Sequence, residues 1–201
     1  MTRVDVFADI VCPFAYVGLD RLVAERDRRG RTDIVFVVRA WPLELVNGQP
    51  VDPHFIGEEI EDLRAQVAGD LFTDFDEHVF PGTSLPGLAL TAAAYEVDDV
   101  TGEAVAMELR RELFERRHDV ADPDILAAVA RRHGVALPAD TEAAVADWHA
   151  GQERGVVGSP HFFAGDRSLF CPSLDIAREG EHLRVRVDPA GFEEILAAVF
   201  G

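Results

Sequence analysis

A cysteine stands at position 12 in the stretch DIVCPFAYVG, between a short apolar run and a segment that opens on Pro13. The run suits a strand, and proline suits the first position of a helix, where its missing N–H would have no partner in any case. A thiol at such a junction lies beside unpaired N–H groups and the positive end of the helix dipole. Both favour the thiolate, which is the nucleophilic form. Position alone fits equally well a small buried hydrophobe, a common state of free cysteine. Ala15 occupies the place where a Cys-x-x-Cys redox pair would carry its second thiol.

Other residues could join Cys12. Asp9 precedes it by three positions and could raise the thiol pKa or carry its proton; as a strand-end residue it could equally be hydrogen-bonded locally. Phe14 suits an apolar wall, and Tyr16 a packed ring with its hydroxyl paired. His161 follows Pro160 in GVVGSPHFF. It could stabilise a thiolate, or strand alternation could turn it elsewhere. Cys171, in LFCPSLD, is the second cysteine. A bond to Cys12 would need Cα atoms within about 7 Å, and the preferred reading of Cys171 is structural. The seven histidines form no His-Glu-x-x-His pattern and no paired Cys-x-x-Cys exists, so no metal site is expected. There is neither a glycine-rich phosphate loop nor a Gly-x-Ser-x-Gly elbow. The acidic run GEEIEDL at 57–63 reads as the wet side of an amphipathic helix.

The elements that must position these residues follow from periodicity. Residues 3–11 read as a first strand. Residues 13–29 read as a helix with Leu19, Leu22 and Val23 inward and Gly30 as its stop. Residues 33–41, DIVFVVRAW, are near-continuously apolar, as in a strand covered on both faces. Helical periods then dominate from about 53 to 150. Ile56, Ile60, Leu63, Val67 and Leu71 share one spacing; PGTSLPG at 81–87 is a break, and residues 88–97 resume the helix. Thr101 is placed to cap the next helix, Asp122-Pro123 opens another that Gly134 closes, and Asp140 or Thr141 starts a last one through Trp148. Strand texture returns at 161–170 as a hairpin around Gly165-Asp166 and again at 182–187. A helix at 190–200 ends the chain. The order β-α-β, helical block, β-β-α is met economically by one mixed sheet built from both ends of the chain, with the helices inserted between.

The 201 residues carry a formal charge of −18, and all 19 basic residues are arginine. Such a surface repels phosphate backbones, so nucleic-acid partners are not expected. No apolar run reaches the ~18 residues of a membrane span, and the first residues lack the marks of a leader. The expected setting is cytoplasmic and away from membranes.

CPFAY after a strand, joined to GVVGSP beyond a helical block, resembles the DsbA-like branch of the thioredoxin superfamily. FrnE-like proteins are the nearest likeness, with 2-hydroxychromene-2-carboxylate isomerases and kappa-class glutathione transferases as neighbours. The resemblance implies an α/β thioredoxin fold, a mixed central sheet flanked by helices, over residues 1–48 and 150–201, with an all-helical insertion at 49–149. It implies Cys12 as the catalytic thiol and Pro160 as a cis-proline. Pro13, Phe14, Ala15, Ser159, Pro160 and His161 would be the residues that bind substrate or thiol. Ala15 departs from the family's second cysteine, so a self-contained dithiol oxidase is not implied. Three functions remain. One is thiol–disulfide exchange through a single thiol, with a disulfide-containing peptide as partner. Another is a transferase or isomerase acting on a small apolar substrate, and the third is a binding module without catalysis. No tightly bound cofactor is expected; glutathione or mycothiol would serve as co-substrate, and a homodimer is an open option.

Overall fold

The computed structural model describes residues 1–180 and 182–201. Strand β1 (Thr2–Ala8) leads into helix α1 (Pro13–Arg28), which returns to strand β2 (Ile34–Ala40). Helices α2 (Leu43–Asn47), α3 (Pro53–Gln66), α4 (Leu85–Val97), α5 (Asp99–Arg116), α6 (Pro123–His133) and α7 (Glu142–Arg154) follow. Strands β3 (His161–Ala164), β4 (Arg167–Phe170), β5 (Leu174–Glu179) and β6 (His182–Val187) precede the terminal helix α8 (Pro189–Phe200).

The central sheet has the order β2-β1-β3-β4. β1 and β2 run parallel, with Thr2 opposite Ile34 and Ala8 opposite Ala40. β3 runs antiparallel to β1, with Phe7 opposite His161, and to β4, with His161 opposite Phe170. The sheet is mixed, as the fold class requires, and the 161–170 hairpin turns at Gly165, whose φ of 59° suits a residue without a Cβ.

β2 lies at an edge of this sheet, where a strand's free N–H groups would otherwise meet water or another chain. The helices take them. Glu103 Oε2 on α5 accepts from Phe36 N–H at 2.7 Å, and Asp147 Oδ2 on α7 accepts from Ala40 N–H at 3.2 Å. Tyr95 on α4 uses its hydroxyl twice, accepting from Val38 N–H and donating to the Phe36 carbonyl, each at 2.8 Å. Tyr95 can approach because Gly102 on α5 lies against it; a Cβ at 102 would fall 2.1 Å from the tyrosine ring. One hydrophobic cluster runs without a break through β1, β2 and β3, through α1 and α8, and through α3 to α7.

Three expectations are corrected. Residues 182–187 form a strand, but it pairs with β5 in a separate two-stranded sheet instead of joining the central one. Three of its other backbone groups are held by α3: Leu183 N–H by Asp62, the Leu183 carbonyl and Val185 N–H by Gln66. Thr101 is not the cap of α5. Asp98 is, accepting Thr101 N–H at 2.7 Å, so α4 and α5 are separated by that one residue. α3 stops at Gln66, leaving Val67 and Leu71 outside the helix although both pack on the core.

Candidate active site

Cys12 is the residue before α1, with extended backbone (φ −81°, ψ 112°) and Pro13 in the first turn. That places its sulfur at the helix mouth, at the end of the short turn 9–12 that joins β1 to α1. Only 3% of Cys12 is exposed. Its Sγ donates to the Ser159 carbonyl oxygen at 3.2 Å, and the peptide bond from Ser159 to Pro160 is cis. The expected lowering of the thiol pKa at a helix N-terminus is reversed. The Ala15 N–H and the Ser159 contact pull it down, but burial outweighs them and pushes the thiol up to about 12, with Glu59 and Asp9 adding to the rise. At neutral pH the resting group is a neutral thiol.

A buried polar framework lies behind it. Asp9 is fully buried and accepts from Leu43 N–H at 2.6 Å and Val11 N–H at 3.3 Å, while its own N–H donates to Ser159 Oγ at 3.0 Å. Burial pushes its carboxyl above the ordinary range. Arg110 on α5 is fully buried as well. It donates to the Asp9 carbonyl at 3.1 Å and to the Ala106 carbonyl at 2.8 Å, and its Nε has no partner among the described residues. Burial lowers this guanidinium to about 10. Thus the turn after β1, the start of α2, α5 and the loop before β3 are tied together through Asp9 beside the thiol.

In front of Cys12 opens a cavity of about 730 Å³. Pro13, Phe14 and Ser159 line it near the sulfur. Leu43, Val51, Phe55, Ile56 and Glu59 form one wall, and Phe170, Cys171, Leu174 and Ile176 the other. Phe55 and Phe170 are among the exposed large apolar side chains. Glu59 is 8% exposed, and burial pushes its carboxyl up to about 7, which Arg178 only partly opposes. The acidic run at 57–63 is therefore not wholly a wet face. Glu59 shares a buried helical arc with Ile56, Ile60 and Leu63, a spacing legible in the sequence.

The candidate residues thus divide. Cys12, Pro13, Phe14 and Ser159 share the cavity. Ala15 is buried in the core, and Pro160 is buried beside α1, its Cγ facing Gly18. His161 is turned away. Its ring stacks on Phe163 at 4.6 Å, Nδ1 accepts from Val157 N–H, and Nε2 lies 2.9 Å from Ser168 Oγ. Burial lowers its pKa, so it is a neutral ring in the β3–β4 packing and no wall of the cavity. Tyr16 packs between Phe72 and Phe114 at ring distances of 5.6 and 5.2 Å. Cys171, for which the sequence favours a structural reading, and Glu59, which it assigns to a wet helix face, both line the cavity, as do residues of α2, α3, β4 and β5 that the sequence does not mark. Among the described residues no group of side chains could hold a metal ion, and no helix is long and apolar enough to cross a membrane.

Comparison with solved structures finds the same fold at low identity. A 2-hydroxychromene-2-carboxylate isomerase superposes with a TM-score of 0.61 at 20% identity, covering 84% of this chain and 88% of that one. The cytosolic disulfide reductase DsbM from Pseudomonas aeruginosa gives 0.58 at 16%, covering 97% of each chain. Its structure with GSH gives 0.58 at 17%, covering 94% and 91%. No curated protein matches in sequence. The family model of the DSBA-like thioredoxin domain matches residues 3–179. With the parallel β1-α1-β2 unit, the antiparallel β3–β4 hairpin and Cys12 facing Ser159, that match over most of its length makes the chain a member of the DsbA-like thioredoxin family.

Proposed function

We propose that the protein carries out thiol–disulfide exchange through the single thiol of Cys12. The observation that supports this most is the sulfur's position: Cys12 lines the 730 Å³ cavity with Ser159, whose carbonyl accepts its thiol hydrogen bond. In the reaction, Cys12 loses its proton and attacks one sulfur of a bound disulfide. The old S–S bond breaks, a mixed disulfide forms on Cys12, and the other half leaves as a thiolate that takes up a proton. Ala15 cannot complete the cycle. A small thiol such as glutathione or mycothiol then attacks the mixed disulfide, restores the Cys12 thiol and departs disulfide-bonded to the first substrate half. In this reading residues 1–48 and 150–201 are the thioredoxin-fold unit. Residues 49–149 are its helical insertion, which lends the Val51–Glu59 wall, and the protein works in the cytoplasm. The neighbour DsbM, a cytosolic disulfide reductase solved with GSH, is consistent with such a thiol as co-substrate.

Turnover of a small disulfide by glutathione, and separately by mycothiol, tests the reading. Wild-type protein accelerates at least one of these reactions, and Cys12→Ser abolishes the acceleration. Equal rates for the two proteins would overturn it.

The apolar cavity wall supports a second reading. Phe14, Leu43, Ile56, Leu174 and Ile176 suit a small apolar or aromatic molecule held beside a thiol cofactor, for transfer or isomerisation. Calorimetric titration with glutathione and mycothiol discriminates: this reading requires binding of one of them without consumption of a disulfide, and absence of binding by both eliminates it.

A further inference from the structure

The structure puts a second thiol in the wall of the Cys12 cavity. Cys171 is half-buried and lines the same space. Its place follows from the sheet register. His161 pairs with Phe170, so the next rung sets Cys171 across from Pro160, and Cys171 N–H donates to the Pro160 carbonyl at 2.9 Å. On the other side of the same cis peptide, the Ser159 carbonyl accepts from Cys12 Sγ. The two cysteines therefore flank the Ser159–Pro160 unit, one from the mouth of α1 and one from the end of β4. Cys171 has a φ of 43°, in the region that ordinarily favours glycine, and begins the short turn between β4 and β5.

We propose that Cys171 is the resolving thiol that position 15 lacks. The inference rests on the reading of Cys12 as nucleophile and replaces the free thiol in its second step. Once Cys12 carries a mixed disulfide, the Cys171 thiol gives up its proton and attacks the Cys12 sulfur. The Cys12–substrate S–S bond breaks, a Cys12–Cys171 bond forms, and the substrate half leaves as a thiolate that is then protonated. Two electrons have passed from the protein's two thiols to the substrate disulfide. Two molecules of a small thiol return the protein to the dithiol form and leave as their own disulfide. The bond requires Cα atoms within about 7 Å, so its formation requires the turn at 171–173 to bring Cys171 that close to Cys12. Burial keeps both thiols protonated at rest, so the exchange quickens as pH rises.

Reaction of the full chain with the aromatic disulfide DTNB tests this, by counting released thionitrobenzoate and weighing the protein. Wild type should release two equivalents per chain and end lighter by two hydrogens, with a linked peptide joining residues 12 and 171. Cys171→Ser, or Cys171→Ala if the serine variant folds poorly, should release one equivalent and keep the adduct on Cys12. A wild-type protein that keeps a stable adduct on Cys12, or that carries two adducts, overturns the resolving role while leaving Cys12 as nucleophile. Should Cys12→Ser react at the wild-type rate, the Cys12 reading itself fails, and this inference with it.

Discussion

Cys12 Sγ and the Ser159 carbonyl oxygen meet at 3.2 Å although 147 positions separate them in the chain. That contact joins the start of α1 to the loop before β3 and fixes where the sulfur faces the cavity. The thiol there is governed by two opposed effects. The helix mouth favours its thiolate, and burial among apolar side chains disfavours it by more.

The first prediction concerns that balance. In the Cys171→Ser background, alkylation of Cys12 by iodoacetamide should keep accelerating with pH through pH 10. An ordinary thiol levels off once pH passes its pKa of about 8.5. A plateau below that pH would mean that the helix mouth outweighs burial.

Ser159 contributes its hydroxyl to the same junction, accepting Asp9 N–H at 3.0 Å. Ser159→Ala leaves that buried N–H without a partner, at a cost of about 1–3 kcal/mol. The urea unfolding midpoint should fall accordingly with an unchanged slope.

Glu59 gives a prediction with a definite sign. Its carboxyl is raised from the ordinary 4.5 to about 7 in the folded chain. Its contribution to stability is fully present below pH 4.5 and is lost as pH rises through 7, because the folded state holds the proton longer. Glu59→Gln carries no such penalty. Relative to wild type it should therefore gain stability between pH 5 and 8, by up to about 3 kcal/mol. It should also lower the Cys12 pKa, since the Glu59 charge opposes the thiolate. Denaturation curves across that range check the first effect, and the alkylation profile checks the second.

Tyr95 is predicted to matter for the sheet rather than for the chemistry. Tyr95→Phe removes the hydroxyl that serves Val38 N–H and the Phe36 carbonyl. The expected loss is about 1–3 kcal/mol of stability, with Cys12 alkylation kinetics unchanged in the folded protein.

These residues show what the sequence could and could not disclose. The strand before Cys12, the helix opened by Pro13 and the hairpin at Gly165 rest on local signals, and each is legible in a few residues. Glu59 was hidden inside an acidic run. Charge argues for a wet face, and only the helical phase with Ile56, Ile60 and Leu63 places it inward. The direction of the Cys12 pKa is not legible near the residue, because a helix mouth is local, whereas burial is supplied by side chains far off in the chain. β5, LDIARE, alternates only over its first three residues, a weak strand pattern, and its partner β6 is tied to α3 by side chains that no local rule pairs. Cys171 entered the cavity through sheet register, which follows from the position of Pro160 beside β1.

Attack of Cys12 on a disulfide can be observed with glutathione disulfide. Cys171→Ser protein is exposed to glutathione disulfide, quenched in acid and mapped by peptide mass spectrometry. Glutathione bound through a disulfide at residue 12 is the expected product. A protein that remains unmodified at residue 12 under conditions that label an accessible control thiol would contradict it.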